Sequence, residues 1–288
     1  RDRSVSRGLG DVYKRQALGY EKTWRDFTWS SNYTFSTNKN KITALADNAI
    51  NPVTGESFSI STLNMGGLGS ARFLLKEGGS MGDVYSNIDM KRDANGDIYV
   101  DRNGNVSTET ISNSDNWIKL GSVLPKANMA WRNSFSWKNF NVGFMISARL
   151  GGVVFSRTQA VLDDFGVSES TADARDLGYV MVNGRDKVTP EAWYRAVGSG
   201  DAVAQYYTYS ATNVRLQEAS FSYTFPKKMF KDVCDLTISL VGRNLWMLYS
   251  KAPFDPESVA STDNFYQGVD YFMMPSTRNF GCSVTLKF

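Results

Sequence analysis

The sequence predicts an all-β fold in which about seven strands belong to a large antiparallel transmembrane β-barrel. Apolar and polar residues alternate in successive runs, and the connections between those runs alternate between short and long. The last run keeps its apolar series up to the final residue. Each strand of a membrane barrel presents one face to lipid and the other to a wet interior, so these three observations fit one architecture.

Composition agrees with this fold class and argues against an enzyme. Of the 288 residues, 42% are hydrophobic, as expected when only alternate strand residues face lipid. The longest apolar stretches are broken by Arg149, Gly151 and Gly152, so no run approaches the roughly 18 residues of a transmembrane helix. Histidine is absent, and Cys234 and Cys282 make no disulfide framework. We expect no catalytic residue, cofactor or metal.

Residues 1–16 stand apart from the rest of the chain. They have no apolar period and resemble the adapter-like segment found at the ends of reading frames from metagenomic assemblies. We expect a non-native leader before a barrel segment at 17–288; a genuine basic arm is the alternative. Outside this stretch the chain holds 27 basic and 27 acidic residues. The net positive charge of the chain therefore comes from residues 1–16, and it gives no reason to expect a nucleic-acid partner.

The first five strands follow from the alternation in chain order. The first is a short strand at 17–22, and the third and fourth meet at Lys138-Asn139, a spacing that requires a tight hairpin. The apolar faces of the second to fifth strands carry Phe27, Trp29, Tyr33 and Phe35; Met129, Trp131, Phe135 and Trp137; Phe140, Val142, Phe144, Ile146, Ala148 and Leu150; and Ala219, Phe221, Tyr223 and Phe225.

The last two strands complete the set. The sixth opens with Leu236, Ile238 and Leu240. On the seventh strand Cys282 lies on the apolar face, together with four residues that resemble the signal read by the outer-membrane barrel-assembly machinery. That signal consists of Phe280, Val284, Leu286 and Phe288. A soluble protein rarely ends in this way, because a frayed apolar end invites aggregation.

The connections sort by length. Short ones lie at about 23–26, 138–139 and 226–235, and long ones at about 37–127, 151–212 and 249–276. Membrane barrels have short periplasmic turns and long extracellular loops, whereas a β-sandwich has no reason to sort its loops in this way. Seven strands cannot close a barrel wide enough to carry solute, so we expect a part of a larger protein.

Four stretches, in matching order and spacing, resemble the late barrel of SusC/RagA-type TonB-linked outer-membrane transporters. They are 119–152, 213–226, Gly242-Arg-Asn-Leu-Trp246 with Phe254-Asp-Pro-Glu257, and 275–281. The resemblance covers residues 17–288 and implies the C-terminal part of a plugged outer-membrane barrel of roughly 22 strands. It also implies TonB-driven import through an N-terminal plug that this chain lacks, a SusD-like surface lipoprotein as lid, and oligosaccharide or peptide substrates. A passive porin or adhesin barrel, and a soluble β-sandwich glycan-binding module, are the alternatives.

The candidate contact residues are aromatic and lie in the long connections. For them we expect contact with the lid or the membrane rim first and with substrate second. They are Trp193, Tyr194, Tyr206, Tyr207, Tyr209, Phe265, Tyr266, Tyr271 and Phe272. Four charged residues have lumen-facing parity, where pairing with the plug or with neighbouring strands is expected: Arg132, Arg149, Glu218 and Arg243.

Three further patterns have simpler explanations than a site. The acidic segment 93–105 could bind calcium, but two Asn-Gly hairpin turns account for it better. Glycines at 66–69 and 78–79 predict flexible loops, because no phosphate-loop lysine follows them. The carboxylates that could form a glycoside-cleaving pair are expected instead to form a solvated acidic face: Asp163, Asp164, Glu169, Asp173 and Asp176.

Overall fold

The computed structural model describes residues 9–231, 233–261 and 266–288. The described residues form twenty strands and three α-helices. The strands are β1 (Leu9–Trp24), β2 (Phe27–Ile42), β3 (Ala46–Ile50), β4 (Ser57–Ile60), β5 (Thr62–Leu68), β6 (Ala71–Lys76), β7 (Asp83–Ser86), β8 (Ile88–Met90), β9 (Thr108–Thr110), β10 (Ile118–Ser122), β11 (Ala127–Trp137), β12 (Phe140–Leu150), β13 (Val153–Ser156), β14 (Val180–Val182), β15 (Asp186–Val188), β16 (Thr208–Ser210), β17 (Asn213–Phe225), β18 (Asp235–Ser250), β19 (Val269–Asp270) and β20 (Asn279–Lys287). The helices are α1 (Arg157–Asp164), α2 (Glu169–Leu177) and α3 (Pro190–Gly198).

Seven long strands form one antiparallel sheet in the order β1-β2-β11-β12-β17-β18-β20. Sheet neighbours are therefore also successive long strands of the chain, as in an up-and-down barrel wall. The predicted number of strands, their order and the alternation of short and long connections are confirmed. No helix within the described ranges is both long enough and apolar enough to cross a membrane.

The first strand is longer than predicted. It begins at Leu9 and pairs with β2 along its whole length, from Leu9↔Ile42 to Trp24↔Phe27. Backbone ladder bonds do not depend on side-chain period, so a segment without apolar alternation can still pair with a long neighbour. Position 16/17 is therefore not a boundary in the fold, and the non-native origin of residues 1–16 stays a prediction.

Register places the predicted apolar residues on one face of the sheet. Trp131 is opposite both Tyr33 and Ile146, and Ile238 is opposite Val284. Directly paired residues of an antiparallel sheet point to the same face. The apolar face of the alternation is thus continuous across strands, and the polar residues share the other face.

Two polar residues, Ser31 and Asn133, lie on the otherwise apolar face and accept hydrogen bonds from tryptophan side chains. The Trp29 indole Nε1 donates to Asn133 Oδ1 over 3.1 Å, and Trp131 Nε1 donates to Ser31 Oγ over 3.0 Å. Asn133 is 1% exposed, and the nearly parallel Trp29 and Phe135 rings lie 6.4 Å apart on the same face. An indole N–H facing lipid needs such a partner, because hydrocarbon offers none.

A bulge at Gln217 changes the parity of β17. The register shifts past this residue in the pairings with both β12 and β18. Glu218 is opposite Met145 and Arg215 is opposite Ser147, so both charged residues lie on the polar face although three positions separate them.

The three long connections fold together into one unit, here called the cap, whose described residues are 43–126, 151–212, 251–261 and 266–278. Its core takes Phe73, Met90 and Val123 from the first connection, Phe155 and Tyr207 from the second, and Val269 from the third. Strand β13 pairs with both β16 and β19, which joins the second connection to the third. The main hydrophobic core therefore lies in the cap and not on the sheet.

The glycines at 66–69 are tightly packed, so the expectation of a flexible loop there is wrong. A Cβ on Gly67 would lie 2.0 Å from the Ala71 carbonyl oxygen, and one on Gly69 would lie 2.4 Å from that of Asp201. Gly69 also has a φ of +58°. Close approach of backbone to backbone, together with the left-handed conformation, requires glycine here.

The segment 93–105 forms two turns, as the hairpin interpretation predicts. Asp93 Oδ1 accepts from the backbone N–H groups of Asn95 and Asp97, and Asp101 Oδ1 accepts from those of Asn103 and Asn105. The carboxylates are thus used to stabilise their own turns. Hydrogen bonds from the Asn105 turn lower the pKa of Asp101 against a smaller opposing effect of burial.

Candidate functional site

The polar face of the sheet carries an ion network across three strands. Glu218 on β17 accepts from Arg132 Nη2 on β11 at 3.0 Å and from Arg243 Nε on β18 at 3.2 Å. Both arginine side chains are more than half exposed, while Glu218 is largely covered. Arg243 and Glu218 are on neighbouring strands, whereas the pairing of Arg132 with Glu218 spans the intervening strand β12.

Arg149 connects the same face to the cap. Its Nη2 donates to the Val123 backbone carbonyl at 2.9 Å, at the end of the first connection. Arg149 lies opposite Asn213 in β17. This arginine therefore joins the barrel wall to the cap instead of pairing with another side-chain charge.

Arg215 was missed from the sequence and forms the most buried ion pair of the described residues. Its guanidinium binds Asp255 at two points, with Nη2–Oδ1 at 2.7 Å and Nη1–Oδ2 at 3.2 Å. Glu257 Oε2 lies 3.4 Å from Nη2, and Asn213 Oδ1 accepts from Nε at 3.3 Å. The side chains of Arg215 and Asp255 are 6% and 10% exposed. The sequence does carry a signal for this pair. Arg215 lies in the stretch 213–226 and Asp255 in the stretch 254–257, and both stretches resemble SusC/RagA-type transporters.

Trp193, Tyr194 and Tyr206 lie where a partner could reach them. Trp193 packs edge-on against Tyr206, with ring centroids 5.4 Å apart, and Tyr206 is 39% exposed. The Tyr194 hydroxyl donates to the Ser170 carbonyl at 3.1 Å, and burial raises the Tyr194 pKa. These three residues remain candidates for a lid or substrate contact.

Tyr207 is a core residue, so the expectation of a surface contact for it is wrong. It is 2% exposed within the shared core of the cap, and burial followed by the neighbouring Asp163 raises its pKa. Tyr209 is half-buried and packs edge-on against Phe254 at 5.7 Å. Burial, then Asp163, raises the pKa of Tyr209 to about 12. Both tyrosines stay protonated and help to hold the cap together.

The third connection places its aromatic residues in two positions. The ring centroids of Tyr266 and of Phe73 in the first connection lie 6.2 Å apart. Tyr271 and Phe272 pack edge-on, with ring centroids 5.3 Å apart. All three candidate residues are at least 43% exposed. Phe265 lies outside the described residues. Tyr266 thus packs on the first connection, whereas Tyr271 and Phe272 pack on each other.

The predicted acidic face is only partly correct. Glu169, Asp173 and Asp176 are exposed, whereas Asp163 is 5% exposed and accepts from Gln159 Nε2 at 2.8 Å. The carboxylates lie on two helices that the sequence analysis treated as loop. The helix caps were visible signals: the Ser168 and Thr189 side chains accept from backbone N–H groups at the starts of α2 and α3, and Gly178 ends α2.

The four terminal-strand residues share one exposed face. Val284 and Leu286 are opposite Ile238 and Leu236, and Phe280 and Phe288 are each 80% exposed. Strand β20 has β18 as its partner in the described sheet, which leaves its other edge open. Their role as an assembly signal stays a prediction.

Comparisons with known proteins agree with this architecture. The chain is 27% identical over 315 aligned residues to TonB-dependent receptor P3 of Formosa agariphila, covering 99% of this chain and 30% of that protein. It is 23% identical over 279 aligned residues to TonB-dependent receptor SusC of Bacteroides thetaiotaomicron, covering 92% of this chain and 25% of SusC. The chain thus spans less than a third of these relatives. No protein-family model matches it.

Solved structures show the same fold. The RagAB peptide importer in its closed-closed state superposes with a TM-score of 0.65 and 16% identity, covering 98% of this chain and 30% of that chain. A second RagAB structure gives a TM-score of 0.66 at 14% identity, covering 98% of this chain and 29% of that chain. The predicted resemblance is thereby confirmed, and the chain is similar, over nearly its whole length, to the outer-membrane β-barrels of SusC/RagA-type TonB-dependent receptors.

Proposed function

We propose that this chain forms the mouth and part of the wall of a SusC-like TonB-dependent importer. The observation that carries the proposal is the cap: three long connections leave one end of the sheet and share one hydrophobic core. The other end has turns of two residues at Arg25–Asp26 and Lys138–Asn139. A folded cap at a single end of a barrel gives the mouth a fixed shape, which suits selective capture of a solute.

The proposed importer works with a SusD-like surface lipoprotein that closes over the cap. Its transport step is energised by TonB acting on an N-terminal plug, and the route involves no chemical change in the substrate. RagAB is described as a peptide importer, and SusC as a TonB-dependent receptor. Oligosaccharides or peptides, the classes that the sequence resemblance implies, are the proposed substrates. The partly exposed Trp193 and Tyr194, together with the exposed Tyr206 and Tyr271, are the proposed contacts with lid or substrate.

Uptake measurements in whole cells test this proposal. A strain that lacks the gene for the full-length protein is complemented with that gene and supplied, at limiting concentration, with labelled oligosaccharides or with a casein peptide digest. We expect uptake that requires the gene and stops on deletion of TonB or on addition of a protonophore. Uptake that continues without TonB would instead identify a passive pore.

A paired substitution tests the cap contacts in the same strain. Trp193→Ala with Tyr194→Ala removes two aromatic faces, each worth about 1 kcal/mol. We expect a several-fold loss of uptake at low substrate concentration, with normal amounts of folded barrel. Unchanged uptake together with unchanged co-purification of the lipoprotein would remove these residues from the contact surface. Val167→Ser, an exposed apolar change elsewhere in the cap, is the control.

A further inference from the structure

A groove of about 480 Å³ opens on the apolar face of the sheet, where β12, β17, β18 and β20 lie side by side. This face carries the apolar residues of the alternation and is therefore the one that meets lipid in a membrane barrel. None of the described cap residues lines the groove. It is thus separate from the surfaces that the proposed importer offers to its substrate and its lid.

Two small residues form the floor of this groove. One row of directly paired residues crosses the four strands in the order Phe144, Ala219, Gly242 and Phe280. Directly paired residues share a face, so a phenylalanine stands on either side of a gap that is two strands wide. The lipid-facing surface is therefore recessed at Ala219 and Gly242.

Larger side chains border the recess along the strands. Toward the short turn, the next row pairs Phe221 with Leu240, which are 44% and 54% exposed. Toward the cap, Leu245 leans over Gly242, where a Cβ would lie 2.7 Å from Leu245 Cδ2. Asn244, with a φ of +52°, lies at the irregular point of β18 between them. The recess is therefore set by the backbone of β18, because the missing Cβ of Gly242 leaves room for Leu245.

The groove lies near the middle of the bilayer. Gly242 is seven residues beyond Asp235, where β18 begins after the short turn. At about 3.3 Å per residue this is about 23 Å along the strand. A strand tilt of about 35–45° reduces the depth to about 16–19 Å, and the midplane of a hydrocarbon core about 30 Å thick lies about 15 Å from its surface. Lipid headgroups stay at the surface, so the part of a lipid that reaches this groove is the end of an acyl chain.

An aromatic cluster marks the membrane surface at the turn end of the same strands. The Tyr223 ring centroid lies 4.6 Å from those of both Phe140 and Phe225. Membrane barrels carry girdles of aromatic residues at the lipid–water interface. The turn that follows Phe225 is therefore at the height of the lipid headgroups.

This turn has the composition of a membrane-surface segment. Residues 226–234 join β17 to β18 and contain the three lysines Lys227, Lys228 and Lys231. Met229 and Val233 beside them are 62% and 60% exposed. Exposed apolar side chains next to basic ones are typical of segments that lie in the headgroup region.

The backbone of the turn is fixed, whereas its ammonium groups are available. Lys227 N–H donates to Asp235 Oδ1 at 2.9 Å, and Lys231, with a φ of +54°, donates its N–H to the Lys227 carbonyl. Among the described residues, no carboxylate forms an ion pair with any of the three lysines. They also outnumber the two aspartates of this segment, Asp232 and Asp235. Basic residues at a membrane surface attract anionic headgroups.

We propose that the groove and the basic turn together bind one anionic phospholipid of the periplasmic leaflet. Its phosphate contacts Lys228 and Lys231, and one acyl chain ends in the recess at Ala219 and Gly242. The short turns are at the end of the sheet opposite the cap, so the headgroup belongs to the periplasmic leaflet and not to the lipopolysaccharide leaflet at the mouth. The inference depends on the outer-membrane location of the barrel and not on the imported substrate.

The test uses the full-length protein, delipidated in detergent, and measures bound lipid by native mass spectrometry. The probes are phosphatidylglycerol, phosphatidylethanolamine and lipopolysaccharide. Ala219→Leu fills the floor of the groove, and Ala148→Leu, on the same face but outside the groove, is its matched control. Heat-modifiable gel mobility first establishes that each variant is a folded barrel.

A second pair of variants tests the headgroup contact without changing the groove. Lys228→Gln with Lys231→Asn removes two charges from the turn, and asparagine tolerates the positive φ at position 231. Lys39→Gln with Lys251→Gln removes two exposed charges near the cap and is the control.

We expect the wild type to bind one phosphatidylglycerol, and to bind it more tightly than phosphatidylethanolamine. The turn variant should bind it about tenfold more weakly and lose the preference between the two lipids. Ala219→Leu should bind both phospholipids more weakly, and both controls should bind as the wild type does. Wild-type affinity in Ala219→Leu or in the turn variant would overturn the site. Equal affinity of the wild type for the two phospholipids, or tighter binding of lipopolysaccharide, would overturn the choice of an anionic periplasmic lipid.

Discussion

Arg215 on β17 and Asp255 in the third connection form a two-point ion pair, with nitrogen–oxygen distances of 2.7 and 3.2 Å, that ties the cap to the barrel wall. The planar guanidinium matches the two carboxylate oxygens, which gives the contact a defined geometry. Asn244 Oδ1 accepts from Arg215 Nη1 at 3.3 Å, so β18 joins the same network. One buried group therefore connects two barrel strands to the cap.

Breaking this ion pair from one side should destabilise the protein. We expect Arg215→Ala to lower the free energy of unfolding by about 3–5 kcal/mol, because it leaves Asp255 buried without its cation. Denaturant unfolding of the purified barrel in detergent measures this loss. Arg132→Ala, which removes a largely exposed pairing with Glu218, is the control and should change stability by about 0–1 kcal/mol. Equal losses in the two variants would contradict a special role for Arg215.

Attachment of the third connection should weaken in acid. Burial acts to raise the pKa of Asp255, but hydrogen bonds from Arg215, Ser276 and the Glu257 backbone outweigh it, and the pKa is lowered. The pKa of Asp255 is therefore lower in the folded than in the unfolded protein. Its contribution to stability is complete above the unfolded pKa of about 3.9 and is lost as the pH falls through the folded pKa.

Hydrogen exchange of residues 251–261 and 266–278 across this pH range measures the effect. We expect faster exchange below about pH 4 in the wild type. In Asp255→Asn, exchange should already be faster at neutral pH and should depend less on acid. The same acid response in both proteins would assign it to other groups.

The hydrogen bond between Trp29 and Asn133 should stabilise the sheet. Asn133→Leu leaves the indole N–H without a partner on the apolar face, which costs about 1–3 kcal/mol. Heat-modifiable gel mobility reports the change as a lower melting temperature. The double variant Trp29→Phe with Asn133→Leu removes both partners and should recover part of the loss. A loss of stability in the double variant that equals or exceeds the sum of the two single-variant losses would argue against this pairing.

The two faces of the sheet should respond differently to charge. Ile146 and Leu240 are on the apolar face, whereas Ser147 and Ser239 are on the polar face. We expect Ile146→Arg and Leu240→Arg to cost about 2–4 kcal/mol near the bilayer midplane, and Ser147→Arg and Ser239→Arg much less. Equal losses within either neighbouring pair, measured by unfolding in lipid vesicles, would refute the assignment of faces.

The terminal aromatic residue should govern assembly. Phe288 is 80% exposed and makes no core contact that its loss would remove. We expect Phe288→Ala in the full-length protein to lower the amount of folded barrel in the outer membrane without changing the melting temperature of the barrel that does fold. Quantitative gel mobility of membrane fractions measures both, and normal folded levels would exclude an assembly signal.

Local pattern was sufficient to predict the barrel strands and their faces. Alternation with period two assigns each side chain to lipid or lumen, and the position of a turn then sets the register of its hairpin. The alternation therefore assigns residues such as Trp131 and Ile146 to one face, and their direct pairing agrees with it. The short turns and the long connections were predicted on the same basis.

The position of each residue in the cap was decided by tertiary packing. Tyr206 and Tyr207 are neighbours in sequence and equally aromatic, yet one is exposed and the other is buried, because the core is assembled from three connections that are far apart in the chain. The Arg215–Asp255 pair likewise forms only because a residue 40 positions further along the chain returns to the wall. Sequence by itself determined the period, the faces and the connection lengths, since these depend on near neighbours. Only the tertiary structure decided which polar groups meet and which aromatics are buried, since both depend on contacts between distant segments.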